Sequence, residues 1–285
     1  MEILQLVIYG IVLGSIITLG AIGVSMVFGI LRFAHFAHGD LMTLGAYLAF
    51  VFVMTAGLPM PLAFLFAAIG TAAAAVVLDQ TLYRRLRRSP PVILLISSFG
   101  VALILRSLIQ LIWGPSTLVY ESGIQLPVRI AGLRIKEDHF WIVGGAIVLV
   151  LTLHLFLKYT TMGKAMRALA DNPDLARVTG IDTERVVMWT WIIAGVMAAA
   201  AGIFLAMDTR LHPTMGWRIL LSVFAAVILG GIGKPYGAIA GGMVIGISEE
   251  VSTLFINPSY KAAVSFAILV GMLIIRPTGL FGGRS

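Results

Sequence analysis

The chain has 285 residues, 59% hydrophobic and only 12% charged, with no cysteine and a formal net charge of +7. Soluble domains carry about 25% charged residues, so a water-facing globule is excluded, and apolar stretches along nearly the whole length exclude a folded head on one anchor. The lack of cysteine excludes disulfides and thiolate metal sites, and the basic excess reads as loop Lys and Arg that set orientation, not as a nucleic-acid surface. These constraints leave an all-α polytopic membrane protein.

In chain order, apolar segments fall near 4–31, 40–56, 61–82, 91–112, 139–157, 187–207, 218–232, 236–256 and 262–275. The start, MEILQLVIYG, has no basic stretch and no small-residue cleavage site, and reads as an uncleaved first span. That segment would make a helix roughly 42 Å long against a hydrocarbon core of about 30 Å, so it is expected to tilt, protrude or break. Segments 218–232 and 262–275 fall short of the roughly 17 residues a clean span needs. The expectation is one domain, 1–285, of about eight to nine transmembrane or re-entrant helices. Gly10 and Gly14, Gly237 and Gly241, and Gly242 and Gly246 are i, i+4 pairs that predict close helix packing in lipid.

Basic residues divide unevenly between the two sides. One side receives Arg32, Arg84, Arg85, Arg87, Arg88, Lys158, Lys164, Arg167, Arg177, Arg185, Lys234, Arg276 and Arg284. The other receives Arg129, Arg134, Lys136, Arg210, Arg218 and Lys261. The richer side is expected to be cytoplasmic, which puts the N-terminus outside and the C-terminus inside.

The stretch RFAHFAHGD, Arg32 to Asp40, interrupts two apolar runs with a cation, two histidines and an acid. A metal site needs three or four converging ligands, and nothing else is spaced to join His35, His38 and Asp40. The residues read as a turn, Phe36 to Asp40, with Asp40 capping the next helix. Other intramembrane polar groups have two readings each. Arg106 either snorkels or pairs, with Glu249 as one possible partner, or takes part in a pathway. Glu249 and Glu250 point about 100° apart, so one at most faces the interior. Asp79 is expected to pair with an arginine of the following loop, and His154 to lie at the interface. Gly230, Gly231 and Gly233 predict a tight reversal, serving either close packing or a hinge beside a re-entrant pair.

Residues 158–186 read KYTTMGKAMRALADNPDLARVTGIDTERV, which is too well punctuated for a linker. Good helix formers run from Met162 to Ala170. Asn172 is a plausible N-cap, Pro173 suits the first helical position, Asp174 suits the positive helix start, and Gly180 supplies a left-handed stop. Asp182 or Thr183 then caps the next span. The segment reads as a helical elbow in water, either a solvated surface loop or a docking element for a cytoplasmic partner.

Three stretches carry a family resemblance. GKAMRALADNPDLARVTGID resembles the cytoplasmic coupling segment of permease subunits from bacterial ABC importers of branched-chain amino acids. HFAHGDLMTLGAYLAF resembles the same family's N-F-A-H-G stretch, and HPTMGWRILLSVFAAVILGGIGKPYGAIAGGMVIGISEE its C-terminal glycine-rich block. The matches lie in order along essentially the whole chain. His35 stands where Asn is expected, and Lys164 where Arg is commoner.

The resemblance implies a type II-like importer permease working by alternating access in the bacterial inner membrane. It implies a second permease, two cytoplasmic ATPases that hold ATP and Mg, and an external binding protein; this chain would bind no cofactor or metal and catalyse nothing. The solute would be a branched-chain amino acid or, as in relatives, urea, an amide or an aromatic acid. Gly163, Lys164, Ala165, Arg167, Ala168, Asn172, Ala176, Gly180 and Ile181 would couple to the ATPase. His35, Phe36, His38, Gly39, Asp40, Arg106, Gly230, Gly231, Gly233 and Glu249 are the candidates for lining or gating the path, possible because broken backbone survives at membrane depth only where protein or water satisfies it. An ion-coupled secondary transporter built around Glu249 is the reading from another class.

Overall fold

A helix that is apolar on every side has to be surrounded, and α1 (Glu2–Leu31) is: 83% of its most apolar window is buried. The computed structural model describes residues 2–87, 89–120, 128–130 and 133–282; Arg88 and Arg284, both counted in the charge balance, lie outside them. After α1 come α2 (His38–Met54), α3 (Met60–Leu78), α4 (Arg84–Leu86) and α5 (Pro91–Trp113). A two-stranded hairpin follows, β1 (Val128–Ile130) antiparallel to β2 (Leu133–Ile135), a small departure from the all-α expectation. The rest is α6 (Glu137–Tyr159), α7 (Thr161–Asp171), α8 (Pro173–Val178), α9 (Thr183–Asp208), α10 (Met215–Gly230), α11 (Pro235–Ser252) and α12 (Lys261–Ile275). A π-helical turn, Asp79–Tyr83, joins α3 to α4 as one rod.

Six helices or rods among the described residues are long and apolar enough to cross a membrane; α2 and α10 are apolar but shorter. The first segment does not break. It runs unbroken for 30 residues, and the break follows it at Arg32, whose φ of 58° is left-handed.

Hydrogen bonds place the helix ends on two faces. On one, Gln5 at the start of α1 exchanges two bonds of 2.8 Å with the Arg134 backbone just before α6, and Lys136 reaches the Asp208 carbonyl at the end of α9. On the other, Arg32 donates to the Ala170 carbonyl of α7 at 2.7 Å, and Arg87 joins Asp79 at 2.5 Å to Glu184 at 2.9 Å. We call these the hairpin face and the elbow face. The pairing of Asp79 with a loop arginine is as expected, and His154 bonds the Tyr236 hydroxyl at 3.0 Å near the elbow face.

The two halves of the chain repeat one another's packing in opposite sense. α1 lies on α11 and α10 while α9 lies on α3 and α2; α2 touches α3 and α5 while α10 touches α11 and α12. At the centre of the first interface the paired glycines mesh. A Cβ on Gly246 would sit 2.3 Å from the Gly14 Cα, and one on Gly10 would sit 2.7 Å from the Ile247 Cα. In lipid no hydrophobic gain drives helices together, so backbone approach and dispersion must do it. Gly246→Val is therefore expected to force α1 and α11 apart, costing at least about 1–3 kcal/mol of overpacking and lowering the melting temperature in detergent. Gly271→Ala, whose Cβ would meet open space, should leave it unchanged.

Candidate translocation site

The turn at residues 32–37 brings the chain back into the bundle, and α2 starts at His38. Asp40 is therefore not the cap. The N-cap is Ala37, with no side-chain hydrogen bond, and Asp40 sits inside the first turn, fully buried. Its carboxylate faces α5, where Arg106 donates from Nε and Nη2 to its two oxygens, each at 3.0 Å. Arg106 accordingly does not snorkel and does not meet Glu249. Its guanidinium lies 4.6 Å over the Trp217 ring of α10, because a charge this far inside the bundle is held by a bidentate partner and a π face rather than by water.

The turn's own polar groups are met by α5. The Phe36 N–H donates to the Ser98 hydroxyl at 3.1 Å, and that hydroxyl donates to the Leu95 carbonyl at 2.8 Å. α2 and α10 then cross through their first turns. A Cβ on Gly216 would lie 1.8 Å from the Gly39 carbonyl oxygen, and the Thr43 hydroxyl bridges the pair, donating to that carbonyl at 3.2 Å and accepting from the Gly216 N–H at 3.1 Å. One helix enters from the elbow face and the other from the hairpin face, so two positive helix starts meet inside the protein.

Around the ion pair stands an aromatic wall. Phe36 packs against Phe224 at 5.1 Å and Phe99 at 6.5 Å, and Phe99 meets Trp217 edge-on at 5.7 Å. Phe99 is 42% exposed, so this wall borders the outside of the chain between α5 and α10. His35 and His38 lie on its inner side. His35 bonds the Tyr83 hydroxyl at 3.1 Å and meets Trp191 edge-on at 4.9 Å; the His38 ring fills the space left by Gly23.

The other candidates lie elsewhere. Gly231 and Gly233, with φ of 109° and 76°, make the predicted reversal at the elbow face. Gly230 packs backbone to backbone on Gly237, and the chain returning after α12 bonds there, Phe281 N–H to the Gly230 carbonyl at 3.1 Å. Glu249 is buried toward the hairpin face, its Oε1 accepting from Ser222 at 2.5 Å and from Ser265. Glu250 points away to Lys261 at 2.6 Å.

The elbow is two short helices with caps on each. Thr160, which the sequence reading missed, accepts from the Gly163 N–H at 2.9 Å; Asn172 accepts from Leu175 N–H at 3.0 Å and Asp182 from Arg185 N–H at 3.1 Å. Gly180 has a φ of 84°. Gly163 and Ala176 are buried and shape the elbow instead of presenting a surface: a Cβ on Gly163 would lie 2.4 Å from the Phe156 carbonyl. Arg167 donates to the Leu157 carbonyl, tying α7 to α6. Ala165 and Ile181 are half-buried, while Lys164, Ala168 and Asn172 are exposed. Two apolar side chains were overlooked, Leu175 at 58% and Val178 at 81% exposure. The signal was present in PDLARV, where an i, i+3 apolar pair shares one face of a helix in water.

Known proteins resemble this chain along nearly its whole length. The family model described as the branched-chain amino acid transport system permease component matches residues 6–273. The chain is 33% identical over 297 residues to the high-affinity branched-chain amino acid transport system permease protein LivH of Escherichia coli (strain K12), covering 98% of this chain and 95% of that protein. It is 30% identical over 293 residues to the corresponding protein BraD of Pseudomonas aeruginosa, with 98% and 95% covered. Among solved structures, PsaBC from Streptococcus pneumoniae in complex with Fab has a similar fold, with a TM-score of 0.53 and 16% identity over 99% of this chain and 94% of that one.

Removing one partner of a buried ion pair leaves a charge uncompensated. Arg106→Gln is expected to destabilise the protein by about 3–5 kcal/mol, and Asp40→Asn with Arg106→Gln together by less, read as melting temperatures of the three proteins in one detergent.

Proposed function

We propose that this chain, which belongs to the permease-component family of branched-chain amino acid transport systems, forms half of the path of an ATP-driven importer for branched-chain amino acids. It is a transport subunit, as its relatives are. In this reading it lies in the bacterial inner membrane beside a second permease, with the elbow face in the cytoplasm and the hairpin face turned to an external binding protein. The orientation rests on the positive-inside rule, since the elbow face carries the Arg84, Arg85 and Arg87 cluster and the basic residues of α7 and α8.

The observation that carries the proposal is the elbow. An ordered pair of helices in water, with Leu175 and Val178 bare on its surface, needs a partner to cover them. ATPase subunits are the partners whose work such a rigid lever can transmit. Arg167 joins α7 to α6, and Arg32 joins α7 to the turn before α2. A tilt of the elbow would therefore pull on the helix start that holds Asp40 against Arg106, and through Trp217 on α10. Alternating access would follow as the two crossed helix starts, and their counterparts in the second permease, part on one side and close on the other. The broken helices near mid-depth offer N–H dipoles to a substrate carboxylate on its way.

One other reading, a lone ion-coupled transporter, has the buried Glu249 in its favour; it predicts leucine uptake by the purified chain without ATP or partners. The importer reading predicts that an ATPase co-purifies from gently solubilised membranes and that the assembled complex takes up leucine on ATP addition. Val178→Asp should abolish that co-purification while leaving the size-exclusion profile of the permease unchanged. A native chain that brings no ATPase would overturn the importer reading.

A further inference from the structure

At the hairpin face a cavity of about 650 Å³ opens between the α9–α10 connection and the starts of the 258–260 turn and α12. Its lining includes the exposed Arg210 and Arg218 with Lys261, and the buried Leu205, Ile219, Ser222 and Glu249. Its size falls within the roughly 300–1,000 Å³ common for small-molecule sites. The ion pairs among the described residues involve neither Arg210 nor Arg218. Glu249 is 5% exposed, and Ser222 and Ser265 both donate to the same oxygen, Oε1. The hydrogen bonds its carboxylate receives among the described residues all go to Oε1, and Oε2 is not one of the enclosed unpartnered atoms, so it opens to the cavity.

A carboxylate with one oxygen doubly satisfied and the other open to a cavity offers an acceptor for a cationic group entering it. Arg210 and Arg218 offer an anion site in the same cavity, and Leu205 and Ile219 add aliphatic surface to its lining. We infer that this cavity is a reception site for an α-amino acid zwitterion with an aliphatic side chain. The ammonium group would bind Glu249 Oε2, the carboxylate would face Arg218 and Arg210, and the side chain would lie on Leu205 and Ile219. It rests on the importer reading and adds to it a station between the external face and the crossed helix starts. Requiring both charged termini would select free amino acids over amides and N-acylated forms. Lys261 contributes less, because Glu250 already holds it at 2.6 Å. His212 is likewise engaged, its Nδ1 accepting from Thr214 at 2.9 Å.

The test uses the complete importer with its binding protein in proteoliposomes, reading leucine uptake and binding-protein-stimulated ATP hydrolysis side by side. Glu249→Gln should lower leucine uptake at least about tenfold, as expected for an ammonium left without its charge partner, while stimulated hydrolysis persists. Glu249→Asp should restore part of the uptake. Uptake by Glu249→Gln at the native rate would overturn the inference, and so would uptake and hydrolysis falling together, which would put the loss in docking. A native complex without ATPase or leucine uptake would instead overturn the importer reading. Should Glu249→Gln fail to assemble, the chain's lack of cysteine allows a second measurement with Glu249 intact. Ile219→Cys is labelled from outside with a membrane-impermeant methanethiosulfonate. Leucine should slow labelling and leucinamide should not; equal labelling with and without saturating leucine would overturn the inference.

Discussion

Two helix starts buried against each other set the terms for the rest of this molecule. At Gly39 and Gly216 the backbones approach so closely that no side chain fits between them, and Thr43 satisfies polar groups of both helices at the crossing. In lipid such ends would expose bare N–H groups, each costly to leave unsatisfied. They persist because α5 supplies Ser98 to the turn, and because α1 and α9 wrap the crossing from either side. The need to enclose these breaks explains why α1 and α9, ordinary apolar helices by composition, occupy the centre.

That enclosure concentrates charge where the membrane tolerates it least. Asp40 and Arg106 are a bidentate pair beneath an aromatic wall, and a pair of this kind is weak evidence for stability alone, since desolvation offsets most of its attraction. Its position is more informative than its energy. It links α2, α5 and, through Trp217, α10, so it joins the two half-crossing helices to a helix whose outer surface is largely bare apolar side chains. An interaction that spans the parts expected to move is suited to having two arrangements.

The elbow and the hairpin face are the two ends of that apparatus. At the elbow face, α7 is fastened to α6 and to the turn before α2 by backbone-directed bonds from Arg167 and Arg32, so it is anchored rather than a loose tether. At the other face a basic cavity leads to Glu249, held by serines from α10 and α12. The two faces communicate through α10, whose start lies at the crossing and whose end packs on the Gly231–Gly233 reversal and the returning chain.

Much of this was legible in the residues. Uninterrupted apolarity dictated helices, since a backbone in lipid has to satisfy itself within each segment. Asn172, Pro173, Gly180 and Asp182 punctuated the elbow because caps and left-handed stops are local chemistry, settled within three or four residues. The glycine pairs announced close packing for the same local reason, that a missing Cβ is visible in the sequence. Partnership was not visible. Asp40 looked like a cap because an acid beside a turn satisfies the local rule; only the fold shows a guanidinium 66 positions away reaching it first. Arg106 and Glu249 were plausible partners by charge and depth, yet α5 borders α2, and Glu249 meets serines of α10 and α12 instead. Local free energies are written along the chain, whereas which buried charge meets which is decided by helix packing, through contacts between residues far apart in sequence.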